Sequence, residues 1–221
     1  MKLLFSALIK VTLGILLVGA LIFLPAGTLA FAKGWLLMGL LFIPMLIAGF
    51  VMLAKSPEFL KKRLDAKEKQ SAQKGVLAFS ALMFIGGFVV AGLDHRFDWS
   101  RMPLWVNIAA GALFLVFYGL YAEVMRENAY LSRTIKVEAG QTVVDTGLYG
   151  IVRHPMYSVT VGLFLMIPLI LGSWYALIPF AFYPVIIIVR LLDEEKLLTQ
   201  ELAGYEDYKK KVKYRLFPFI W

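Results

Sequence analysis

The fold is decided by a run of uncharged residues, VTLGILLVGALIFLPAGTLAFA, which occupies positions 11–32. After Lys33, a second uncharged run, GWLLMGLLFIPMLIAGFVMLA, extends over residues 34–54. About 20 apolar residues let one helix cross the hydrocarbon core of a bilayer, which is about 30 Å thick. Two further uncharged runs, 75–93 and 102–122, have a similar length. The sequence therefore predicts an all-α integral membrane protein.

The last uncharged run, residues 156–189, is longer than the others. As one straight helix it would extend about 51 Å at 1.5 Å per residue, which exceeds one membrane crossing. Gly172 and Ser173 lie at its midpoint and are a typical turn signal. Prolines at 168, 179 and 184 are expected to bend or end the helices around that turn. We predict a short helical hairpin here, and about six transmembrane helices in all.

The composition excludes several other classes of protein. Hydrophobic residues make up 60% and charged residues 17% of the chain, against about 45–50% and about 25% in a soluble domain. The chain has no cysteine, which excludes disulfide scaffolds, thiol catalysis and thiolate metal sites. An integral membrane protein is the class that remains.

The net charge of +8 follows the predicted topology. Of the 23 lysines and arginines, all but Lys33, Arg96 and Arg101 fall on the same side of the predicted spans. Cytoplasmic loops carry the excess of basic residues in membrane proteins. Both termini are therefore predicted to be cytosolic, in a bacterial cell membrane or in the endoplasmic reticulum of a eukaryote. The positive balance predicts no nucleic-acid partner.

The chain divides into an N-terminal part, residues 1–122, and a C-terminal part, residues 123–221. The first holds four predicted spans and the basic loop 55–74, which we interpret as an interfacial helix beside anionic headgroups, with substrate gating as the alternative. His95 lies between Asp94 and Asp98 on the far side. One short loop does not supply a full set of metal ligands, so we interpret His95 as a solvated loop histidine. No metal site is predicted.

The other histidine, His154, lies in the segment YGIVRHPMY, residues 149–157, where a polar loop meets the hairpin. Pro155 suits the first turn of a helix because its missing N–H has no partner there. Arg153, His154 and Tyr157 would then cluster at a helix N-terminus, which favours a bound anion or carboxylate. Anchoring to lipid headgroups is the alternative interpretation.

The other end of the hairpin carries the opposite charge, on Asp193, Glu194 and Glu195. Because a hairpin returns to its starting side, this acidic cluster is expected near Arg153 and His154. Arg190 and Glu194 are four residues apart and share one helix face. The result would be a polar bowl, basic on one wall and acidic on the other, which suits a zwitterionic ligand. A solvated helix end neutralised by Lys196 is the alternative.

Apolar residues then recur at helical spacing and predict one cytosolic C-terminal helix, which covers the bowl or lies along the bilayer. They are Leu198, Leu202, Tyr205, Tyr208 and Val212. On its wet face Glu206 would pair with Lys210, and Asp207 with Lys211. The final residues, 214–221, are rich in aromatic side chains and are expected to anchor at the membrane interface.

Several of these stretches together resemble the isoprenylcysteine carboxyl methyltransferase family. They are NAYLSR at 128–133, DTGLYGIVRHPMY at 145–157, RLLDEEKLL at 190–198, GYEDY at 204–208 and VKYRLFPFIW at 212–221. The resemblance covers about residues 123–221. It implies methyl transfer from S-adenosylmethionine to a lipophilic acceptor that enters from the bilayer.

The resemblance also implies roles for individual residues. His154 and Tyr157 would line the cofactor pocket, with Tyr149 and Arg153 in support. Glu194 or Glu195 would hold polar groups of the cofactor, and Asn128 matches a further polar position. Arg190 and Glu195 would be the catalytic residues nearest the reacting groups.

The identity of the acceptor stays open at this point. A carboxylate acceptor needs no general base and could be oriented by Arg190, whereas an amine, as in a phospholipid methyltransferase, would need Glu195 as a base. A membrane reductase of the sterol reductase type, using NADPH, shares a similar Arg-His-Pro segment and is a rival reading. A transporter or a scaffold is least favoured. Transport is disfavoured because the predicted spans contain no Lys, Arg, Asp or Glu. The oligomeric state is not predicted.

Overall fold

The computed structural model describes residues 2–64, 71–131 and 137–221, and the regular structure within these ranges is helical. The N-terminal helices are α1 (Lys2–Ala26), α2 (Ala32–Lys55), α3 (Pro57–Leu64), α4 (Ser71–Phe97) and α5 (Leu104–Glu127). A single 3₁₀ turn, Gly147–Gly150, precedes α6 (Pro155–Leu171), α7 (Leu177–Phe180), α8 (Tyr183–Glu201) and α9 (Tyr205–Lys211).

Four described helices, α1, α2, α4 and α5, are long and apolar enough to cross a membrane. They coincide with the four separate runs predicted from the sequence, and their outer faces carry exposed large apolar side chains such as Leu13, Leu17 and Ile47. Such a surface would be insoluble in water, so this is a membrane protein. Helix α1 begins nine residues before the first uncharged run, at Lys2, and includes Lys10.

The predicted turn in the last apolar run is confirmed at Gly172. This glycine ends α6 with a φ of +78°, a left-handed conformation that side chains other than glycine rarely adopt. The chain then makes the short helix α7 and returns along α6 as α8, which has Pro184 in its first turn. At 17 residues, α6 is shorter than the four spanning helices, and the total of six spans stays a prediction.

Helix α6 packs mainly against α5, and this pairing positions the site. At one end the side chain of Asn107 donates a hydrogen bond to the carbonyl of Leu169, at 2.6 Å. Further along, Gly162 faces the ring of Phe117. The two helices are antiparallel, so the N-terminus of α6 lies beside the end of α5. We call this end of the bundle, where α2 and α5 end and α6 begins, the basic end, and the opposite end the far end.

At the far end, α4 continues through the segment that the sequence suggested was a loop. His95 lies in the last turn of α4 and stacks on the ring of Phe31, with 3.9 Å between ring centroids. It is exposed, as predicted, but it is not in a loop. The neighbouring Asp94 is buried and accepts hydrogen bonds from the hydroxyls of Ser100 and Ser173. These bonds tie α4 to the turn of the hairpin.

The single C-terminal helix predicted over residues 198–212 is wrong. Helix α8 ends at Glu201, and Gly204, with a φ of +83°, starts the separate helix α9. The apolar face nevertheless forms one buried cluster of Leu202, Tyr205, Tyr208 and Val212. The predicted charge pairs are also shifted. They are observed three residues apart, between Glu206 and Lys209 and between Asp207 and Lys210, whereas Lys211 binds Asp145.

Candidate active site at the start of the sixth helix

A cavity of about 780 Å³, counting the space at its open mouth, lies at the basic end between α5, α6, α8 and α9. Seven of the eight residues predicted for the site line it: Asn128, Tyr149, Arg153, His154, Tyr157, Arg190 and Glu194. The eighth, Glu195, lies behind the wall of the cavity.

The backbone before α6 is fixed by the C-terminal segment, residues 212–221. The N–H groups of Arg153 and His154 donate to the carbonyls of Tyr214 and Arg215, at 2.9 and 3.0 Å. One turn into α6, the hydroxyl of Ser158 donates to the carbonyl of Leu216, at 2.5 Å. The last residues of the chain therefore form part of the structure that holds the Arg-His-Pro segment.

The buried guanidinium of Arg153 is occupied by protein acceptors. Its Nε donates to Oε1 of Glu195 at 2.7 Å, and its Nη1 donates to the carbonyls of Val212 and Lys213, both at 2.9 Å. The second carboxylate oxygen of Glu195 accepts from Nε of Arg215, at 2.9 Å. Arg153 therefore joins α8 to the C-terminal segment and shapes the cavity from its rim.

Glu195 is ionised at neutral pH. Burial alone would raise the pKa of its carboxyl group, but hydrogen bonds from His154, Arg153 and Arg215 outweigh burial and lower the pKa to about 2. Only 7% of the residue is exposed, so the ion pairs are shielded from water. A carboxylate held this firmly in its charged form is a weak base.

A second polar group, formed by Tyr157, Arg190 and Glu194, faces the cavity directly. The hydroxyl of Tyr157 donates a short hydrogen bond to Oε2 of Glu194. Nε of Arg190 donates to the same hydroxyl oxygen, at 3.1 Å. Arg190 and Glu194 lie one turn apart on α8, as their spacing predicts, so a positive and a negative group stand side by side on the wall. The predicted shared face of Arg190 and Glu194 on α8 is therefore observed.

Tyrosines form much of the remaining wall. The amide of Asn128 donates to the hydroxyl of Tyr149 at 3.1 Å, and the hydroxyl of Tyr208 donates to the carbonyl of Tyr149 at 2.8 Å. The hydroxyl of Tyr205 lies 3.5 Å from Nε2 of His154. Burial raises the pKa of Tyr149, Tyr205 and Tyr208, so these hydroxyls stay neutral and act as hydrogen-bonding groups.

Some residues that line the cavity were not predicted from the sequence as site residues. From the sequence, Tyr205 and Tyr208 were predicted only to form part of an apolar helix face. Their spacing of three residues places both on the same face of that helix, and this face lines the cavity. Gln141, Val143 and Val144 reach the cavity from the segment between α5 and the 3₁₀ turn. No periodic pattern marks that segment, so nothing in the sequence indicated which of its side chains point inward.

A sequence model of the isoprenylcysteine carboxyl methyltransferase (ICMT) family matches residues 103–200. The match runs from the start of α5 to the end of α8 and contains all eight predicted site residues. We call residues 103–200, which are similar to the ICMT family, the ICMT segment. No curated protein matches the chain. The ICMT family is a family of membrane methyltransferases, and the match suggests membrane methyltransferase activity for this protein.

The ICMT segment does not contain the whole site. Helix α9 contributes Tyr205 and Tyr208, and the C-terminal segment holds Arg153, yet both follow residue 200. The cavity therefore combines a wall from the ICMT segment with a second wall from residues that follow it.

Proposed function

We propose that this protein transfers a methyl group from S-adenosylmethionine to the carboxylate of a lipophilic acceptor at the cytosolic face of the membrane. The observation that carries the proposal is the cavity at the basic end. Most of its lining comes from the ICMT segment, and that lining includes a cation, a carboxylate and several aromatic rings.

The residues of the cavity fit the proposed cofactor. S-adenosylmethionine carries a carboxylate, an ammonium group and a sulfonium, beside a flat adenine ring. The N-terminus of α6 favours the cofactor's carboxylate, whereas Glu194 favours its cationic groups. The faces of Tyr157 and Tyr205 suit a sulfonium or an adenine ring, since aromatic faces attract cations and stack on flat rings.

In the proposed reaction, the protein mainly has to position the cofactor and the acceptor. The cofactor supplies a methyl group that is already activated, and a carboxylate oxygen accepts it without releasing a proton. Arg190 would hold the acceptor carboxylate in line, and the buried tyrosines would exclude water. Arg153 and Glu195 would act as positioning residues that keep His154 and the C-terminal segment in place.

The state of Glu195 favours a carboxylate acceptor over an amine. Methyl transfer to a protonated amine requires a base that removes the proton. From the sequence, Glu195 was the candidate for that base. It faces Arg153, His154 and Arg215 away from the cavity, and its lowered pKa disfavours proton uptake. Glu194 lines the cavity, but it already accepts a hydrogen bond from Tyr157.

The reaction is tested by incubating the purified protein with tritium-labelled S-adenosylmethionine and a lipid extract of its own membranes. We expect one labelled lipid, and we expect base to release the label as methanol because a methyl ester is hydrolysed. Label that survives base would indicate N-methylation and contradict the proposed acceptor.

The cofactor is tested separately by calorimetry on the protein in detergent. S-adenosylmethionine should bind, and NADPH should not. Binding of NADPH alone would contradict the proposal and support the rival reductase.

A further inference from the structure

The C-terminal segment carries two large apolar side chains that face outward. Phe219 and Ile220, which we call the apolar tip, are 88% and 80% exposed. Phe219 has a φ of +64°, a left-handed conformation that a bulky residue rarely adopts. Its ring lies beside that of Tyr214, with 5.3 Å between the ring centroids. A strained backbone that turns an aromatic ring outward indicates a surface that binds a partner.

The neighbours of the apolar tip show where it lies on the bundle. Leu216 is buried in the main apolar core, and its carbonyl accepts the hydroxyl of Ser158 in the first turn of α6. The tip therefore lies beside the start of α6, where the uncharged run of the hairpin begins. Lys213, just before it in the chain, is exposed. A cation next to exposed aromatic and aliphatic side chains suits the membrane interface, because the apolar groups enter the acyl region while the cation stays among anionic headgroups.

Trp221, directly after the apolar tip, connects the tip to Arg215. The carbonyl oxygen of Trp221 accepts hydrogen bonds from the backbone N–H groups of Arg215 and Leu216, at 2.9 and 3.0 Å. The guanidinium carbon of Arg215 lies 4.9 Å from the centre of the Trp221 ring, which is a cation–π contact. Both the backbone and the side chain of Arg215 are therefore held by Trp221.

Arg215 continues this series of contacts to the candidate active site. Its Nε donates to Oε2 of Glu195 at 2.9 Å. The other carboxylate oxygen of Glu195 lies 2.7 Å from Nε of Arg153 and 3.3 Å from Nε2 of His154, and both of these residues line the cavity. Each step is a direct contact, so a displacement of Trp221 would reach the cavity wall.

We infer that the apolar tip inserts into the membrane leaflet at the basic end and that Trp221, held there, keeps Arg215 on Glu195. Trp221 is thereby a positioning residue for His154, and the partner of the tip is the lipid bilayer. The inference goes beyond the proposed function, and only its effect on cofactor binding rests on that function.

Insertion of the tip is tested with a single fluorescent label, since the chain has no cysteine of its own. Ile220→Cys, labelled with nitrobenzoxadiazole in the 221-residue chain and placed in phosphatidylcholine–phosphatidylglycerol nanodiscs, should be quenched by lipids that carry a nitroxide on the acyl chain. Lys210→Cys is the control, because Lys210 is exposed on α9 outside the tip; its label should stay bright. Equal quenching at both positions, or none at position 220, would overturn insertion into the bilayer.

The connection from Trp221 to the site is tested by a double-mutant cycle on the melting temperature, which needs no cofactor. Trp221→Ala should lower the melting temperature more in the unmodified protein than in Glu195→Gln, because in the second background Arg215 has already lost its charged acceptor. Trp105→Ala, at a 71% exposed position at the far end, should have the same effect in both backgrounds. Additive effects of Trp221→Ala and Glu195→Gln would overturn the positioning role.

Calorimetry with S-adenosylmethionine measures the effect on the cavity. Trp221→Ala should weaken binding about fivefold, the order expected for one cation–π contact. Trp221→Phe keeps an aromatic face for Arg215 and should restore most of the affinity, and Trp105→Ala should bind like the unmodified protein. Unchanged affinity in Trp221→Ala would contradict the effect on His154. If the unmodified protein binds no S-adenosylmethionine, the proposed function fails, and the quenching and the mutant cycle still decide the role of the tip and of Trp221.

Discussion

The hydroxyl of Tyr157 connects the two charged groups on the cavity wall. It donates to Glu194 and accepts from Arg190, so it fixes the separation of a negative and a positive side chain. Without it, both would lose a hydrogen-bonding partner in a largely buried place. The orientation of these charges, more than their presence, should decide how well a zwitterionic cofactor binds.

We expect Tyr157→Phe to weaken binding of S-adenosylmethionine at least about tenfold, since hydrogen bonds to charged groups contribute about 1.5–3 kcal/mol. Calorimetry on the detergent-purified variant measures the effect. Tyr175→Phe removes the same hydroxyl from a half-exposed tyrosine at the far end and should bind normally. Equal affinities for both variants would contradict the role assigned to Tyr157.

The ion pairs of Glu195 make stability depend on pH. Its pKa of about 2 in the folded protein lies below the ordinary value of 4.5, so its contribution to stability is complete above about pH 4.5 and is lost as pH falls toward 2. The melting temperature in a non-ionic detergent should therefore fall less between pH 6 and pH 3 in Glu195→Gln than in the unmodified protein. Glu201→Gln, at the exposed end of the same helix, should behave like the unmodified protein.

At the scale of elements, the contact between α1 and α4 depends on a glycine. A Cβ added to Gly92 would lie 2.5 Å from the carbonyl oxygen of Ile22 and 3.1 Å from the backbone nitrogen of Ala26. Both are backbone atoms, which cannot move aside as a side chain can. The close approach of the two helices is therefore possible only with glycine at this position.

Gly92→Ala should separate α1 from α4 and lower the melting temperature by roughly 3–10 °C, since overpacking costs about 1–3 kcal/mol. The comparison is Gly86→Ala, on the same helix, where an added Cβ meets nothing within 4 Å. That variant should melt at the same temperature or higher, because alanine favours a helix over glycine. Thermal unfolding followed by tryptophan fluorescence distinguishes the two.

At the scale of the whole molecule, the charge distribution predicts on which side of the membrane the site lies. The cavity is at the basic end, which carries most of the lysines and arginines, and Arg101 is exposed at the far end. The chain contains no cysteine, so a single introduced cysteine can be labelled without background.

We expect Arg101→Cys to react with a membrane-impermeant maleimide in intact cells, and Lys210→Cys to react only after the cells are permeabilised. Both positions are exposed, so access to the reagent depends on the side of the membrane alone. Labelling of Lys210→Cys in intact cells would place the cavity outside the cytosol and contradict the predicted orientation.

The sequence by itself determined the apolar helices, the turn at Gly172 and seven of the lining residues, because hydrophobic run length and motif spacing are local properties of the chain. It failed at Gly204, where a left-handed glycine interrupts an apolar pattern that continues on both sides. Only the tertiary structure decided which charges meet. Glu194 and Glu195 are adjacent in sequence, yet they project from α8 in different directions, one into the cavity and one toward Arg153 and Arg215. The tertiary structure also decided that Arg63 meets Tyr121 of α5, because a contact between residues 58 positions apart depends on how the helices pack and leaves no periodic signal in the chain.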